Sequence, residues 1–409
     1  MRKILFLVLC YFTVCSSLSA QVPDLILRKN AKKAEVPFEY ENGFIVVQVV
    51  FNNIFPLKFI LDTGAEHTIL TKREITDLLQ IDYQRRFVIM GSDLKTELGA
   101  YLVRGIVLTM GNMYLSNRSM LVLEDDYFSF DEFAGLDVHG IIGADLLRRF
   151  VVMIDYRKKT VTFYDPSKFT LPHGKFTELQ VELHRNKPYI YTHTDLPRDT
   201  SAQLKYLMDT GASVALMMYT ITDTLLQLPE QFIRSNIGMG LGGFIEGFVG
   251  RTPAIDLGET TLQEVVTNYQ DFLPTMDSAY FNERNGLIGN QILSRFTIIV
   301  DYIKGKVYVE PTSRAKRRFK YDRSGLALVA SGAQLEDITV FAVTPATPAA
   351  EAGMQKGDII KKINGVPTGF TGLQGVINRL KKRPGKRIRL IFERDEERLK
   401  VRFRLRDLI

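Results

Sequence analysis

KFILDTGAEHTIL (58–70) and YLMDTGASVALMM (206–218) repeat one pattern: an apolar run enters Asp-Thr-Gly and a second apolar run leaves it. Asp62 and Asp209 take corresponding places, 147 residues apart. Two further pairs follow in the same order: GIIGADLLRRF (140–150) with GLIGNQILSRF (286–296), and MIDYRKKTVTFYDP (153–166) with IVDYIKGKVYVEP (299–311), each offset by 146. Three matches at one offset mean a duplicated unit, and a period this long describes two related lobes rather than a solenoid. FIVVQVVF (44–51) and IFPLKFIL (54–61) flank Asn52-Asn53 and read as a hairpin feeding Asp62. PYIYTHT (188–194) and QLKYLM (203–208) do the same before Asp209. Thr71 with Glu74 predicts a capping box for a helix over about 72–80. The segments 149–164 and 295–309 alternate as hairpins expected to close each lobe. The fold class is mainly β: two pseudo-symmetric lobes followed by a C-terminal α+β domain.

The remaining composition narrows the chemistry. The chain has 409 residues, 53 Lys+Arg against 46 Asp+Glu, and two cysteines, Cys10 and Cys15. MRKILFLVLCYFTVCSSLSA (1–20) has two cations, an apolar run over 4–15 and a small-residue end, which is the layout of a signal peptide. Export to the periplasm or the extracellular space is therefore expected, with cleavage after Ala20. The mature chain would hold no cysteine, which excludes disulfide scaffolds, thiol catalysis and Cys-ligated metal. It would also hold no run long enough to span a bilayer. His67, His139, His173, His184 and His193 fall at no metal-ligand spacing, so no metal and no cofactor are expected. GMGLGG (238–243) fits G-x-G-x-x-G literally but lacks the strand, helix and downstream acid of a dinucleotide site. Charge is uneven: residues 312–409 carry 22 Lys+Arg against 10 Asp+Glu, while 21–311 carry 29 against 36. A basic tail on an acidic body points to separately folded units. The basic residues alternate on the polar faces of strands, which argues for solvated faces and against nucleic acid.

What remains is a pair of aspartates, each at the end of an apolar strand. Two carboxylates about 3 Å apart cannot both ionise, so one keeps a proton near neutral pH. One can then activate a water while the other donates to the developing oxyanion, with no covalent intermediate. The two D-T-G motifs, each followed by apolar-apolar-Gly (141–143 and 287–289), resemble the aspartic protease superfamily, and more narrowly the bacterial retropepsin-like proteases fused in one chain. The resemblance covers about 36–311. It implies Asp62 and Asp209 as the catalytic dyad, supported by Thr63, Gly64, Thr210, Gly211 and Ser213, with the apolar-Gly segments packed behind. It also implies β-hairpin flaps, for which GSDLKTELGAYL (91–102) and GMGLGGFIEGF (238–248) are the candidates. The cleft candidates are Ala65, Glu66, Ala212, Gly99, Tyr101, Gly240, Gly242 and Gly243. Glu66 would face a substrate backbone or basic group, or else be a solvated acid after a turn.

ITVFAVTPATPAAEAGMQKGDIIKKINGVP (338–367) resembles a bacterial PDZ domain. Such domains bind peptides by strand addition. Gly325, Leu326, Ala327 and Leu328 would form the carboxylate loop and 373–380 the groove's other wall, with Ala327 replacing the usual second glycine. The expected organisation is 1–20 signal peptide, 21–35 N-terminal linker, 36–166 first lobe, 167–175 connector, 176–311 second lobe, 312–321 basic linker and 322–409 PDZ domain. The expected function is an exported aspartic endopeptidase acting on polypeptides, with a C-terminal or internal peptide as PDZ ligand. Both aspartates lie in one chain, so an oligomer is not required. The competing reading is a catalytically inactive, protease-like peptide-binding scaffold.

Overall fold

The computed structural model describes residues 26–27, 31–91, 96–126, 135–240, 243–270, 284–332 and 334–409. The expected signal peptide lies outside them. The chain is mainly β, and among the described residues no helix is long and apolar enough to cross a membrane.

Each lobe is built on the repeated hairpin. In the first, Phe44–Phe51 pairs antiparallel with Phe55–Leu61. Asn52 and Asn53 both take left-handed φ values of 48° and 59°, the backbone of a tight two-residue turn whose twist matches the strands. In the second lobe Lys187–Leu196 pairs with Thr200–Met208. The last three residues of each hairpin then pair in parallel with an apolar strand far along the chain: Phe59–Leu61 with Gly140–Ile142, and Tyr206–Met208 with Gly286–Ile288. The two-fold correspondence read in the sequence is therefore present in the hydrogen bonding.

The hairpins at 149–164 and 295–309 behave differently from expectation. They do not close each lobe separately. Val151–Asp155 pairs antiparallel with Phe296–Asp301, Met153 opposite Ile299, so both hairpins join one floor sheet running beneath the lobes. The reason is apolar content: Val152, Ile154, Ile298 and Val300 are all buried, and an unpaired edge of such strands would leave ladder groups open. Lys33–Glu41 extends this sheet, with Ala34, Val36 and Phe38 buried in alternation, so the first lobe reaches into the segment expected as an N-terminal linker. The capping box does not form either. The helix is Arg73–Leu78, with Lys72 at its N-cap and no side-chain cap. Thr71 instead donates its N–H to the His139 carbonyl (2.9 Å), holding its backbone beside the strand Ile69–Leu70.

The C-terminal domain folds around its own core. Its sheet runs in the order Leu326–Ser331, Asp337–Val343, Ile359–Ile363, Arg387–Arg394, Glu397–Arg404, and the helix Thr368–Leu380 packs Leu373, Val376 and Leu380 on it. The basic segment 312–321 is packed rather than loose. Phe319 is buried, and the Arg295 guanidinium lies 3.4 Å from its ring centroid. The chain's final residue, Ile409, joins the apolar cluster of the two lobes.

Candidate active site

The parallel strand pairing decides where the two aspartates go. Asp62 N–H donates to the Ile142 carbonyl and Asp209 N–H to the Ile288 carbonyl, both at 3.0 Å. Each loop is thus pinned by the apolar-apolar-Gly segment of its own lobe. Gly143 and Gly289 are needed there, since a Cβ would strike the His67 and Val214 carbonyls.

Across the lobe boundary the loops hold each other reciprocally. Thr63 N–H donates to Thr210 Oγ1 (3.0 Å), and Thr210 N–H donates to Thr63 Oγ1 (3.1 Å). Each hydroxyl passes on to the opposite strand: Thr63 Oγ1 donates to the Met208 carbonyl (2.5 Å) and Thr210 Oγ1 to the Leu61 carbonyl (2.8 Å). Four hydrogen bonds through two buried threonines fix one loop against the other. Inside this grip Asp62 accepts from the N–H groups of Gly64 (2.7 Å) and Ala65 (3.0 Å), and Asp209 accepts from Gly211 (2.8 Å). Each carboxyl lies against the glycine of the opposite loop. Gly64 and Gly211 make the approach feasible: a Cβ on Gly64 would sit 2.7 Å from the Asp209 carboxyl carbon, and one on Gly211 would overlap the Asp62 carboxylate.

Electrostatics follow from burial. Both carboxyls are pushed above the ordinary aspartate range, chiefly by loss of solvent. For Asp62 the neighbouring Asp209 charge adds to the upward shift, whereas for Asp209 the positive charges of Arg284 and Lys187 oppose it. The pair therefore favours holding one proton, with the negative charge drawn toward Asp209.

The other sequence-predicted residues divide. Ala65 and Ala212 brace the loops, their carbonyls accepting from Ala144 N–H and Asn290 N–H at 2.8 Å each. Ser213 does not support Asp209: its Cβ lies against Gly43 and its carbonyl accepts from Gln291 Nε2 (3.1 Å). The glycine turn of the first lobe takes the space beside it. Glu66 is half-exposed, 3.8 Å from His67 and 3.9 Å from Arg185 of the second lobe. Both flaps are hairpins, Arg85–Met90 with Glu97–Met110 and Ile233–Gly240 with Gly243–Leu257. Gly240 and Gly243 close the second flap's ladder, while Gly242 and the first flap's turn at 92–95 lie outside the described residues. Gly99 and Tyr101 are on the first flap beside Glu124: a Cβ at Gly99 would overlap its carboxylate, and the Tyr101 hydroxyl donates to it (2.9 Å) while the Tyr101 ring packs on Tyr83 and under Arg73. Gly325, Leu326, Ala327 and Leu328 line one cavity with Ile377 and Leu380 of the helix, as a groove requires. Gly325 has φ +85°, and a Cβ there would strike Thr347.

Asn290 was missed. It is fully buried, donates from Nδ2 to the carbonyls of Thr210 (2.6 Å) and Gly43 (2.7 Å), and accepts at Oδ1 from the Tyr156 hydroxyl (2.6 Å). It ties the second Asp-Thr-Gly loop to a turn and the floor of the other lobe. The signal was a mismatch in the repeat: Ala144 stands where the second lobe has Asn290. The consequence is asymmetric. Tyr302, which corresponds to Tyr156, has a buried hydroxyl with no partner among the described residues.

Comparison with known families agrees with this geometry. A family model described as aspartyl protease matches residues 47–146, and one described as PDZ domain matches residues 339–394. No curated protein matches the chain. The chain therefore joins an aspartyl protease domain, matched over the first of its two lobes, to a C-terminal PDZ domain.

Proposed function

We propose that the protein is an exported aspartic endopeptidase in which Asp62 and Asp209 act as one unit on a bound water. The observation that carries the reading is the reciprocal Thr63–Thr210 grip, which brings two partly buried carboxyls together across the lobe boundary. The ionised carboxyl takes a proton from the water, whose oxygen adds to the peptide carbonyl carbon. The protonated carboxyl gives its proton to the carbonyl oxygen, forming a neutral gem-diol. One gem-diol hydroxyl returns its proton to the ionised carboxyl as the C–N bond breaks, and the nitrogen leaves with the proton of the other carboxyl, so the pair again holds one proton. The flaps would close over the substrate and exclude solvent, which strengthens every charge interaction at the dyad. Export rests on the N-terminal sequence alone.

The test is incubation of the mature chain with an unfolded protein across pH 3–8, with products identified by mass, beside Asp62→Asn and Asp209→Asn. Cleavage by the wild type, lost in both variants, is expected. Equal cleavage by the variants would assign the activity elsewhere. Absence of turnover, with peptide binding retained, would favour the inactive scaffold.

A further inference from the structure

The floor sheet relates the two lobes about one point. Met153 and Ile299, 146 residues apart, stand opposite each other where Val151–Asp155 meets Phe296–Asp301. The same turn follows each strand. Asp155 Oδ1 accepts from the N–H groups of Arg157 (2.9 Å) and Lys158 (3.0 Å), and Asp301 Oδ1 from those of Ile303 (3.1 Å) and Lys304 (2.9 Å). Tyr156 and Tyr302 lie inside these matched turns, and both are buried. The segments after the apolar-apolar-Gly strands match as well. Gly143 and Gly289 have nearly the same backbone, φ −94° and ψ −179° against φ −103° and ψ −175°. Ala144 and Asn290 then donate their N–H groups to the carbonyls of Ala65 and Ala212, at 2.8 Å each. The Cβ atoms of Ala144 and Asn290 therefore take corresponding places.

What differs is the side chain. In the second lobe the Asn290 amide accepts from the Tyr156 hydroxyl and donates to the carbonyls of Thr210 and Gly43. Alanine supplies none of these bonds in the first lobe, and two buried groups show the loss. The Tyr302 hydroxyl has no partner among the described residues, although Tyr302 is only 7% exposed. The Thr63 carbonyl, the counterpart of that of Thr210, accepts no hydrogen bond among the described residues either, and Thr63 is 2% exposed. The third counterpart is the carbonyl of Asn186: Arg185-Asn186 joins His184 to Lys187 as Asn42-Gly43 joins Glu41 to Phe44. A buried donor and a buried acceptor are costly to leave unpaired. Burial, and then the charge of Asp62, push the Tyr302 hydroxyl above the ordinary tyrosine range, so it stays a neutral donor.

We infer that the first lobe binds one structural water in the place of the Asn290 amide, between the Tyr302 hydroxyl and the carbonyls of Thr63 and Asn186. The hydrogen-bond count fits. A water accepts from the hydroxyl and donates its two hydrogens to the two carbonyls, the three bonds usual for a buried water. The space of a carboxamide is on the order of the 30 Å³ that one water takes in the liquid. An apolar filling would leave all three polar groups unpaired. Tyr302 is thereby a positioning residue: it holds the water that holds the Thr63 carbonyl, next to Asp62 in the chain. The Asp209 loop is braced by a covalently attached amide and the Asp62 loop by an exchangeable molecule, so the two aspartates are held with unequal stiffness. The water site stands apart from the peptidase reading, and only its effect on turnover rests on that reading.

Crystal structures of the full chain that resolve ordered solvent, for the wild type and for Ala144→Asn, test the site. One water oxygen is expected within about 3 Å of both Tyr302 Oη and the Thr63 carbonyl oxygen, and the introduced amide should replace it in the variant. A dry site, a Tyr302 hydroxyl bonded instead to a protein group, or a water that persists beside the introduced amide would overturn it. In turnover of a short quenched peptide, Tyr302→Phe should lower kcat about threefold to tenfold with KM within about twofold, since a reacting group shifts and the binding surface does not. Adding Ala144→Asn should restore kcat, because the amide reaches the Thr63 carbonyl without the hydroxyl. A kcat unchanged by Tyr302→Phe, or a loss that the second substitution leaves in place, would overturn the positioning role. The bound water in a wild type that cleaves nothing would uphold this site and remove the peptidase reading instead.

Discussion

Asn290→Ala deletes one side chain and unseats three groups. The Tyr156 hydroxyl loses its acceptor, and the carbonyls of Thr210 and Gly43 lose a donor each. The contacts to Tyr156 and Thr210 are buried and the one to Gly43 is partly buried, so water does not replace the first two easily. Ala144 occupies the matching position at the start of the first lobe's helix Ala144–Leu147, so alanine fits the backbone and the cost is the side chain's alone. An unsatisfied buried polar group costs about 1–3 kcal/mol. The hydroxyl bears the full penalty and the carbonyls part of it, which gives roughly 3–5 kcal/mol for the set. At about 2–4 °C per kcal/mol for units of this size, the protease transition should fall by roughly 6–20 °C in calorimetry. Adding Tyr156→Phe removes the orphaned hydroxyl and should recover part of the loss, a coupling that a double-mutant cycle reads directly. A midpoint within about 2 °C of wild type, less than 1 kcal/mol on the same scale, would refute the hub. So would a second substitution that only adds further loss.

Three other outcomes follow from the dyad. Both folded-state carboxyls titrate above their unfolded values, so their contribution to stability is present below the unfolded aspartate pKa and is lost as pH rises through the raised values. Asp62→Asn removes that loss, and its melting temperature should exceed wild type at pH 7 while the gap narrows toward pH 3; a constant gap would contradict the burial argument. Gly211→Ala places a methyl group on the Asp62 carboxylate and should cut kcat/KM by about a hundredfold or more while the chain still folds, so unchanged turnover would count against the close approach. Arg284→Gln takes away a charge that opposes protonation of Asp209, so the acidic limb of the pH–kcat/KM profile should move to higher pH; a shift to lower pH, or none, would show that Arg284 does not act on the pair.

The dyad was legible because its determinants are local and duplicated. An apolar strand, Asp-Thr-Gly and a distant apolar-Gly segment recur in one order, and the structure gives Asp62 and Asp209 identical backbone bonds to Ile142 and Ile288. Long-range partners were not legible. Nothing in 149–164 or 295–309 says that the two hairpins pair with each other rather than within their lobes, because strand alternation gives a face and not a partner. Thr71 and Glu74 satisfied a local capping pattern that lost to the hydrogen bond Thr71 N–H donates to the His139 carbonyl. Ser213 was assigned from its neighbours in sequence, whereas its Cβ packs against Gly43, far away in the chain. Asn290 was visible only as a mismatch between repeats, and its role needed three partners from separate segments. The PDZ groove was readable in its own residues, but the flap strand Ile233–Gly240 that lines the same cavity was not.

The central claim is that two acids from opposite lobes grip one reacting group, and a crystal structure of the full chain with a statine-type inhibitor tests it most directly. The account predicts the inhibitor's central hydroxyl within about 3 Å of a carboxyl oxygen of Asp62 and of Asp209 together. An inhibitor bound away from the pair, or touching one aspartate while the other stays out of reach, would contradict it.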